Sequence, residues 1–288
     1  MGSVAKPFRS VLYIPAANAR AMEKAASLPV DAIIFDLEDA VTPDAKAQAR
    51  VLLAEALERH DYGARVKLLR INGFDTGLAE ADLDAVQRMK VDAVLLPKVN
   101  GPEDVARLDT ALGETDMAIW AMMETPLGIL NAAQIAFGPR MQGFVMGTND
   151  LAKELGIRNR PDRMPMQSSL QMALLAARAA GIVAVDGVYN AFKDQEGLSR
   201  ECEDGRDMGF DGKSLIHPAQ VAIANAVFAP GQDEVELARR QIKAYAAAKA
   251  EGKGVAVVDG KIVENLHVAT AEVTLAKASA IAAMESEQ

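Results

Sequence analysis

The chain has 288 residues, 50% of them hydrophobic and 25% charged, with a formal net charge of −9 and a single cysteine. That length and apolar content suit one large α/β domain, and the acidic balance argues against a nucleic-acid or anionic-membrane surface. Lone Cys202 excludes an internal disulfide and a Cys-cluster metal site.

No apolar signal region precedes Pro7, and the longest apolar stretch, 172–191, is interrupted by Arg178 and Asp186. The chain therefore reads as cytoplasmic, without a membrane span. From the amino terminus, short apolar runs alternate with helical stretches about eight times. Strands are expected at Ser10–Pro15, Ala32–Asp39, Val66–Asn72, Ala93–Val99, Met117–Glu124, Gly143–Gly147, Ile182–Val188 and Lys213–His217. Helices are expected between them, at Pro43–Glu58, Leu78–Met89, Pro102–Leu112, Gly128–Ala136 and Met166–Ala180. Continuous apolar runs mark parallel strands covered on both sides. Eight such alternations predict a (β/α)₈ TIM barrel over residues 1–228, with a doubly wound open sheet as the alternative. Residues 229–288 exceed what the barrel needs. They read as helices around a hairpin turning at Asp259-Gly260, a lid segment for this chain's barrel or a neighbour's.

Two of the strand-like runs end in acids, Glu124 and Asp150, each followed at once by a turn or helix start. If those strands are neighbours, both acids stand at the carboxyl-end mouth, where active sites of this fold lie. Two hard oxygen ligands without a His or Cys cluster suit Mg²⁺. The second strand ends with Asp36, Glu38 and Asp39, three acids in four positions, expected either to hold waters on the metal or to form a solvated strand end. Arg70 closes the third strand and can grip a carboxylate, polarise an enolate, or pair with Asp36 or Glu38. Gly147, Thr148 and Asn149 open a helix whose amides can receive an anionic substrate group, unless Asn149 or Asp150 is simply its cap. Arg9, Arg20, Lys24 and His217 are candidate phosphate contacts. Lys213 can contact a phosphate or pair with an acid inside the barrel. Cys202 reads as a bystander thiol.

Seven motifs occur in order: Arg9-Ser-Val-Leu-Tyr-Ile-Pro, Asp36-Leu-Glu-Asp-Ala-Val, Arg70-Ile-Asn-Gly, Leu96-Pro-Lys-Val, Met123-Glu-Thr-Pro, Gly147-Thr-Asn-Asp-Leu and Gly212-Lys-Ser-Leu-Ile-His-Pro. Together they resemble the citrate lyase beta-subunit-like proteins of the HpcH/HpaI aldolase superfamily, which include malyl-CoA and citramalyl-CoA lyases. The resemblance implies a barrel holding Mg²⁺ on Glu124 and Asp150, with Arg70 binding the 2-oxo acid and stabilising its enolate partner. It also implies a homotrimer or hexamer in which the carboxyl-terminal segment covers a neighbour's site. In the CoA lyases that segment supplies a catalytic Asp. Here the matching stretch, Asp259-Gly-Lys-Ile-Val-Glu264, ends in Glu, and Glu264 takes the implied proton-transfer role.

The expected activity is Mg²⁺-dependent carbon–carbon cleavage of a malyl-CoA or citramalyl-CoA type thioester into a 2-oxo acid and acetyl-CoA. The alternatives are a thioesterase on the same CoA esters, a citrate lyase beta-type subunit acting on a carrier-bound substrate, and a free-acid aldolase. Aldolases of that last kind use a His near the barrel mouth, and none lies near the first two strands.

Overall fold

Eight parallel strands, each paired with the next and the eighth with the first, close a barrel in this computed structural model, which describes residues 6–286. They are β1 (Ser10–Pro15), β2 (Ala32–Asp36), β3 (Val66–Arg70), β4 (Ala93–Leu96), β5 (Ala118–Met123), β6 (Met141–Met146), β7 (Val183–Asp186) and β8 (Gly212–Leu215). Helices connect consecutive strands, so the architecture is a (β/α)₈ barrel.

Side chains alternate across a strand, and here both faces are apolar. Val11, Ile34, Leu68, Leu95, Trp120 and Val145 fill the barrel's interior. Their chain neighbours Leu12, Ile33, Leu69, Val94, Ile119 and Phe144 pack outward in the layer shared with the helices. Trp120 has room because β6 presents Gly143 beside it; a Cβ there would stand 2.6 Å from the indole ring. Carried to the carboxyl end, the same period of two turns Asp36, Arg70 and Glu124 inward, above Ile34, Leu68 and Met122.

The strands end sooner than the sequence pattern predicts. β2 stops at Asp36, β3 at Arg70 and β5 at Met123, which leaves Glu38, Asp39 and Glu124 in the loops that form the mouth. The helix expected over Gly128–Ala136 is two short ones, Pro126–Leu130 and Ala132–Ala136, interrupted at Asn131.

One buried polar group corrects the sequence reading. Lys213 pairs with an acid, but on the outer face of the barrel wall. Its Nζ lies 3.0 Å from Asp186 on β7 and 2.8 Å from Glu201 on the helix Gln195–Met208, with no side-chain exposure. Arg163 completes the cluster, 2.8 Å from Asp186. Burial opposes the Asp186 charge, yet Lys213 and Arg163 outweigh it and pull its pKa below the usual range. Cys202 is buried nearby, and desolvation lifts its thiol to about 12, as suits an inert packing residue.

From Ala229 onward the chain forms a second compact unit. The helix Gln232–Ala250 is followed by a hairpin of β9 (Ala256–Val258) and β10 (Lys261–Val263), then by the helix Asn265–Ser286. Asp259 and Gly260 at the turn have φ of 51° and 74°, the paired positive values of a tight two-residue hairpin. Ala256, Val258 and Val263 pack on Leu237, Ala244, Tyr245, Ala248 and Val268. No helix among the described residues is long and apolar enough to cross a membrane.

Removing one partner of a buried ion pair strands the other charge. Lys213→Met should lower the unfolding free energy by about 3–5 kcal/mol, measured by urea denaturation. A loss under about 1 kcal/mol would mean that Arg163 alone satisfies Asp186.

Candidate active site

β5 and β6 are hydrogen-bonded neighbours, with Met123 opposite Met146, so the residues that follow them share one side of the mouth. Glu124 is the first residue after β5 and is 1% exposed. Asp150 is the third residue of the helix Thr148–Leu155. Gly147 between them has no Cβ for a steric reason: a Cβ would meet both Cβ and Oε2 of Glu124 at 2.4 Å. Neither Asn149 nor Asp150 caps the helix, since Gly147 is the N-cap and no side chain bonds the first turn. Asn149 instead exchanges side-chain hydrogen bonds with Asn190 after β7, at 3.3 and 2.7 Å.

A cavity of about 300 Å³ opens here, walled by Tyr13, Asp36, Arg70, Glu124, Gly147 and Asp150 among others. Asp36 and Arg70 are direct register partners on β2 and β3. Arg70 donates from Nε and Nη2 to the two Asp36 oxygens, 2.7 Å each. Asp36 also accepts the amides of Glu38 and Ala40, at 2.9 and 3.0 Å. Each Asp36 oxygen is therefore shared between Arg70 and a backbone amide, which fixes the carboxylate and with it Arg70. The third nitrogen of Arg70, Nη1, lies 2.7 Å from Glu38 and 3.7 Å from Asp39, and the guanidinium stands 5.0 Å over the Tyr13 ring. Of the three acids after β2, Asp36 is thus bound into the ion pair, Glu38 is buried beside it, and Asp39 is largely exposed.

Burial lifts the Glu38 carboxyl to about 7, against the pull of Arg70 and with help from Asp39, Glu124 and Asp36. Burial likewise raises the Glu124 carboxyl, while the Lys98 amide, the Lys98 ammonium and Arg70 pull it back. The Tyr13 phenol is pushed above its ordinary value, chiefly by burial, so it is a proton donor throughout the working pH range. Its hydroxyl donates to the Met122 thioether at 3.3 Å.

Lys98 and Tyr13 received no role from the sequence. Lys98 was visible as the polar residue closing the fourth strand, and Tyr13 as the one aromatic on an inward position of β1; neither spacing nor composition singled them out. The remaining candidates lie elsewhere. Arg20 and Lys24 are exposed, one turn apart on the helix Ala19–Ala25, and His217 is exposed after β8. The His217 Nδ1 accepts the Ala219 amide at 3.1 Å and its ring stacks on Phe192, a capping role. Arg9 is buried against Asp31 at 2.9 Å, which accounts for its charge without a phosphate. Glu264 belongs to the carboxyl-terminal unit, where it is exposed after β10 and its amide donates to His267 Nδ1 at 3.0 Å.

Five carboxylates surround two cations here: Arg70 faces Asp36, Glu38 and Asp39, and Lys98 pairs with Asp150 while its amide holds Glu124, a formal surplus of three negative charges when all are ionised. Among the described residues no cluster offers three or more His, Cys, Asp or Glu ligands. A pair of carboxylates inside a negative cavity fits a hard dication that keeps most of its water and takes oxygens from a ligand. It does not fit zinc or a soft metal.

The fold and this mouth define a barrel with an acidic carboxyl end. The chain belongs to the HpcH/HpaI aldolase/citrate lyase family, whose model matches residues 9–218. It is 61% identical over 286 residues to a (3S)-malyl-CoA thioesterase of Cereibacter sphaeroides, covering 99% of this chain and 100% of that protein. It is 36% identical to the citrate lyase subunit beta of Haemophilus influenzae, over 94% of this chain and 96% of that one. A crystal structure of the CitE protein of Mycobacterium tuberculosis, in complex with magnesium, acetoacetate and coenzyme A, superposes with a TM-score of 0.79 at 31% identity. It covers 96% of this chain and 98% of that one.

A carboxyl raised in the folded state stabilises the fold while protonated and loses that contribution as pH rises through its folded value. In metal-free protein, Glu38→Gln should therefore gain stability relative to the parent between pH 4.5 and about 7, the ordinary and folded values of Glu38. Urea unfolding across that range checks it; a difference independent of pH would contradict the shift.

Proposed function

We propose that this chain is a Mg²⁺-dependent hydrolase of malyl-CoA type thioesters, releasing the free hydroxy acid and CoA. The observation that carries the reading is its full-length 61% identity to a (3S)-malyl-CoA thioesterase, joined to an acid pair at the mouth that suits Mg²⁺. Glu124 and Asp150 would hold the ion, which when bound supplies positive charge against the oxygens of the hydroxy acid.

The chain's own groups account for the rest. Asp36 locks Arg70 bidentately and Glu38 faces its Nη1, so the guanidinium meets substrate in one orientation, where its positive charge can stabilise the charge developing on the thioester oxygen. Glu38, buried and poised near neutrality, suits the removal of a proton from the attacking water. The amides at the start of the helix Thr148–Leu155 receive the substrate carboxylate beside Gly147, Thr148 and Asn149. Arg20 and Lys24 remain candidates for the CoA phosphates, being exposed and adjacent to β1, whereas the capping geometry of His217 speaks against it.

Carbon–carbon cleavage to a 2-oxo acid and acetyl-CoA is the second reading. It is favoured by the 36% identity to a citrate lyase subunit beta and by the Arg70, Glu124 and Asp150 set. In it Glu264, supplied in a homotrimer or hexamer by a neighbour's carboxyl-terminal segment, would exchange the proton of the acetyl carbon. Glu in place of Asp moves that carboxylate by about 1 Å, a displacement that can cost about a hundredfold in rate. That mismatch weighs towards hydrolysis.

The deciding assay incubates purified protein with (3S)-malyl-CoA, with Mg²⁺ and with EDTA, and identifies the products. Free CoA with malate, lost in EDTA, is the expected result. Acetyl-CoA with glyoxylate would establish the lyase instead, and activity that survives EDTA would remove the metal assignment. Glu124→Gln and Asp150→Asn should each lower the rate by about a hundredfold or more.

A further inference from the structure

Lys98 touches both members of the acid pair with different parts of itself. Its backbone N–H donates to Glu124 Oε1 at 2.8 Å, and its Nζ stands 3.3 Å from Asp150 Oδ2. It can do both because the chain turns sharply after Pro97, giving Lys98 a φ of 52°, in the left-handed region that side chains rarely adopt. Such a conformation persists only where the surroundings enforce it, and it gathers at functional sites. The Lys98 side chain is 39% exposed, so its ammonium has water on one side and Asp150 on the other. Burial on its own would lower the Lys98 pKa; the charges of Glu124 and Asp150 and the bond to Asp150 outweigh it and keep the ammonium charged.

A fixed positive charge at hydrogen-bonding distance from a metal-binding oxygen repels the metal at close range. The backbone bond to Glu124 carries no net charge and is compatible with a bound ion. Only the ammonium stands in competition.

We propose that Lys98 is the counter-cation of the metal-free site. Its ammonium holds Asp150 in place until Mg²⁺ arrives and leaves Asp150 when the ion binds, while its amide keeps Glu124 oriented in both states. This rests on the reading of Glu124 and Asp150 as the Mg²⁺ acids and adds the residue that sets how tightly they bind it. Linkage gives a reciprocal consequence: an anionic substrate group that draws the ammonium away tightens Mg²⁺ binding, and Mg²⁺ tightens the substrate by the same factor.

The test is calorimetric titration of Mg²⁺ into EDTA-treated protein without substrate, comparing the parent with Lys98→Met, which keeps the amide and most of the side-chain volume. The dissociation constant should fall by about five- to fiftyfold in the variant, a range typical of coupling between sites. An unchanged or weaker affinity overturns the proposal while leaving the metal site standing. If the parent takes up no Mg²⁺ at all, the metal reading itself fails and this proposal falls with it.

A second measurement needs no variant. Acetic anhydride labelling of the parent, read by mass spectrometry, should modify Lys98 severalfold faster with Mg²⁺ than with EDTA, relative to exposed Lys249. An equal or slower rate also overturns the proposal.

Discussion

Negative charge is gathered at the carboxyl end of this barrel faster than the chain's own cations can neutralise it, and most of the local geometry answers to that imbalance. Asp36, Glu38 and Asp39 converge on one guanidinium, and Glu124 and Asp150 share one lysine. Each cation is divided among several acids, so none of the acids is fully compensated. The protein holds part of the excess by keeping Glu38 near its titration point instead of ionised. A site arranged in this way is tuned to receive positive charge from outside.

Rigidity and openness are split between the two halves of that mouth. On the β2–β3 side Arg70 is held bidentately by Asp36 and faces Glu38, and each Asp36 oxygen is shared between Arg70 and a backbone amide. On the β5–β6 side the bonds are fewer and half exposed, with Asp150 reached by one flexible ammonium and the helix start left uncapped by any side chain. A preorganised cation faces an adaptable pair of acids. Under the proposed function, that division suits charge developing at a fixed oxygen opposite acids that can adapt to a bound ion.

The fold was legible because parallel strands buried on both faces read as unbroken apolar runs, and eight of them alternated with helices. Their ends were less legible. Hydrophobic pattern says where a strand is covered, not where its neighbour stops pairing, so β2 reads through to Asp39 although its ladder ends at Asp36. The acids Glu124 and Asp150 stood out in the sequence because each closes an apolar run. Lys98 did not, because its part depends on a left-handed backbone turn after Pro97 that no spacing rule encodes. The partner of Lys213 was correctly an acid, but the face was wrong: the alternation that puts Val185 inside necessarily puts Asp186 outside.

Gly147 gives the mouth a peculiar evolutionary economy. The position of Glu124 is secured there by a missing atom, since any side chain at 147 would displace the carboxylate. Drift at that residue is barred by shape alone, independent of charge, hydrogen bonding or helix propensity. Thr148, next along the same wall, packs against Gly187 in the same manner, whereas Asn149 is held by its hydrogen bonds to Asn190 and not by a missing atom. Natural variation and laboratory libraries should therefore find their freedom to reshape the cavity at Asn149 and beyond, two residues after the point where they have none.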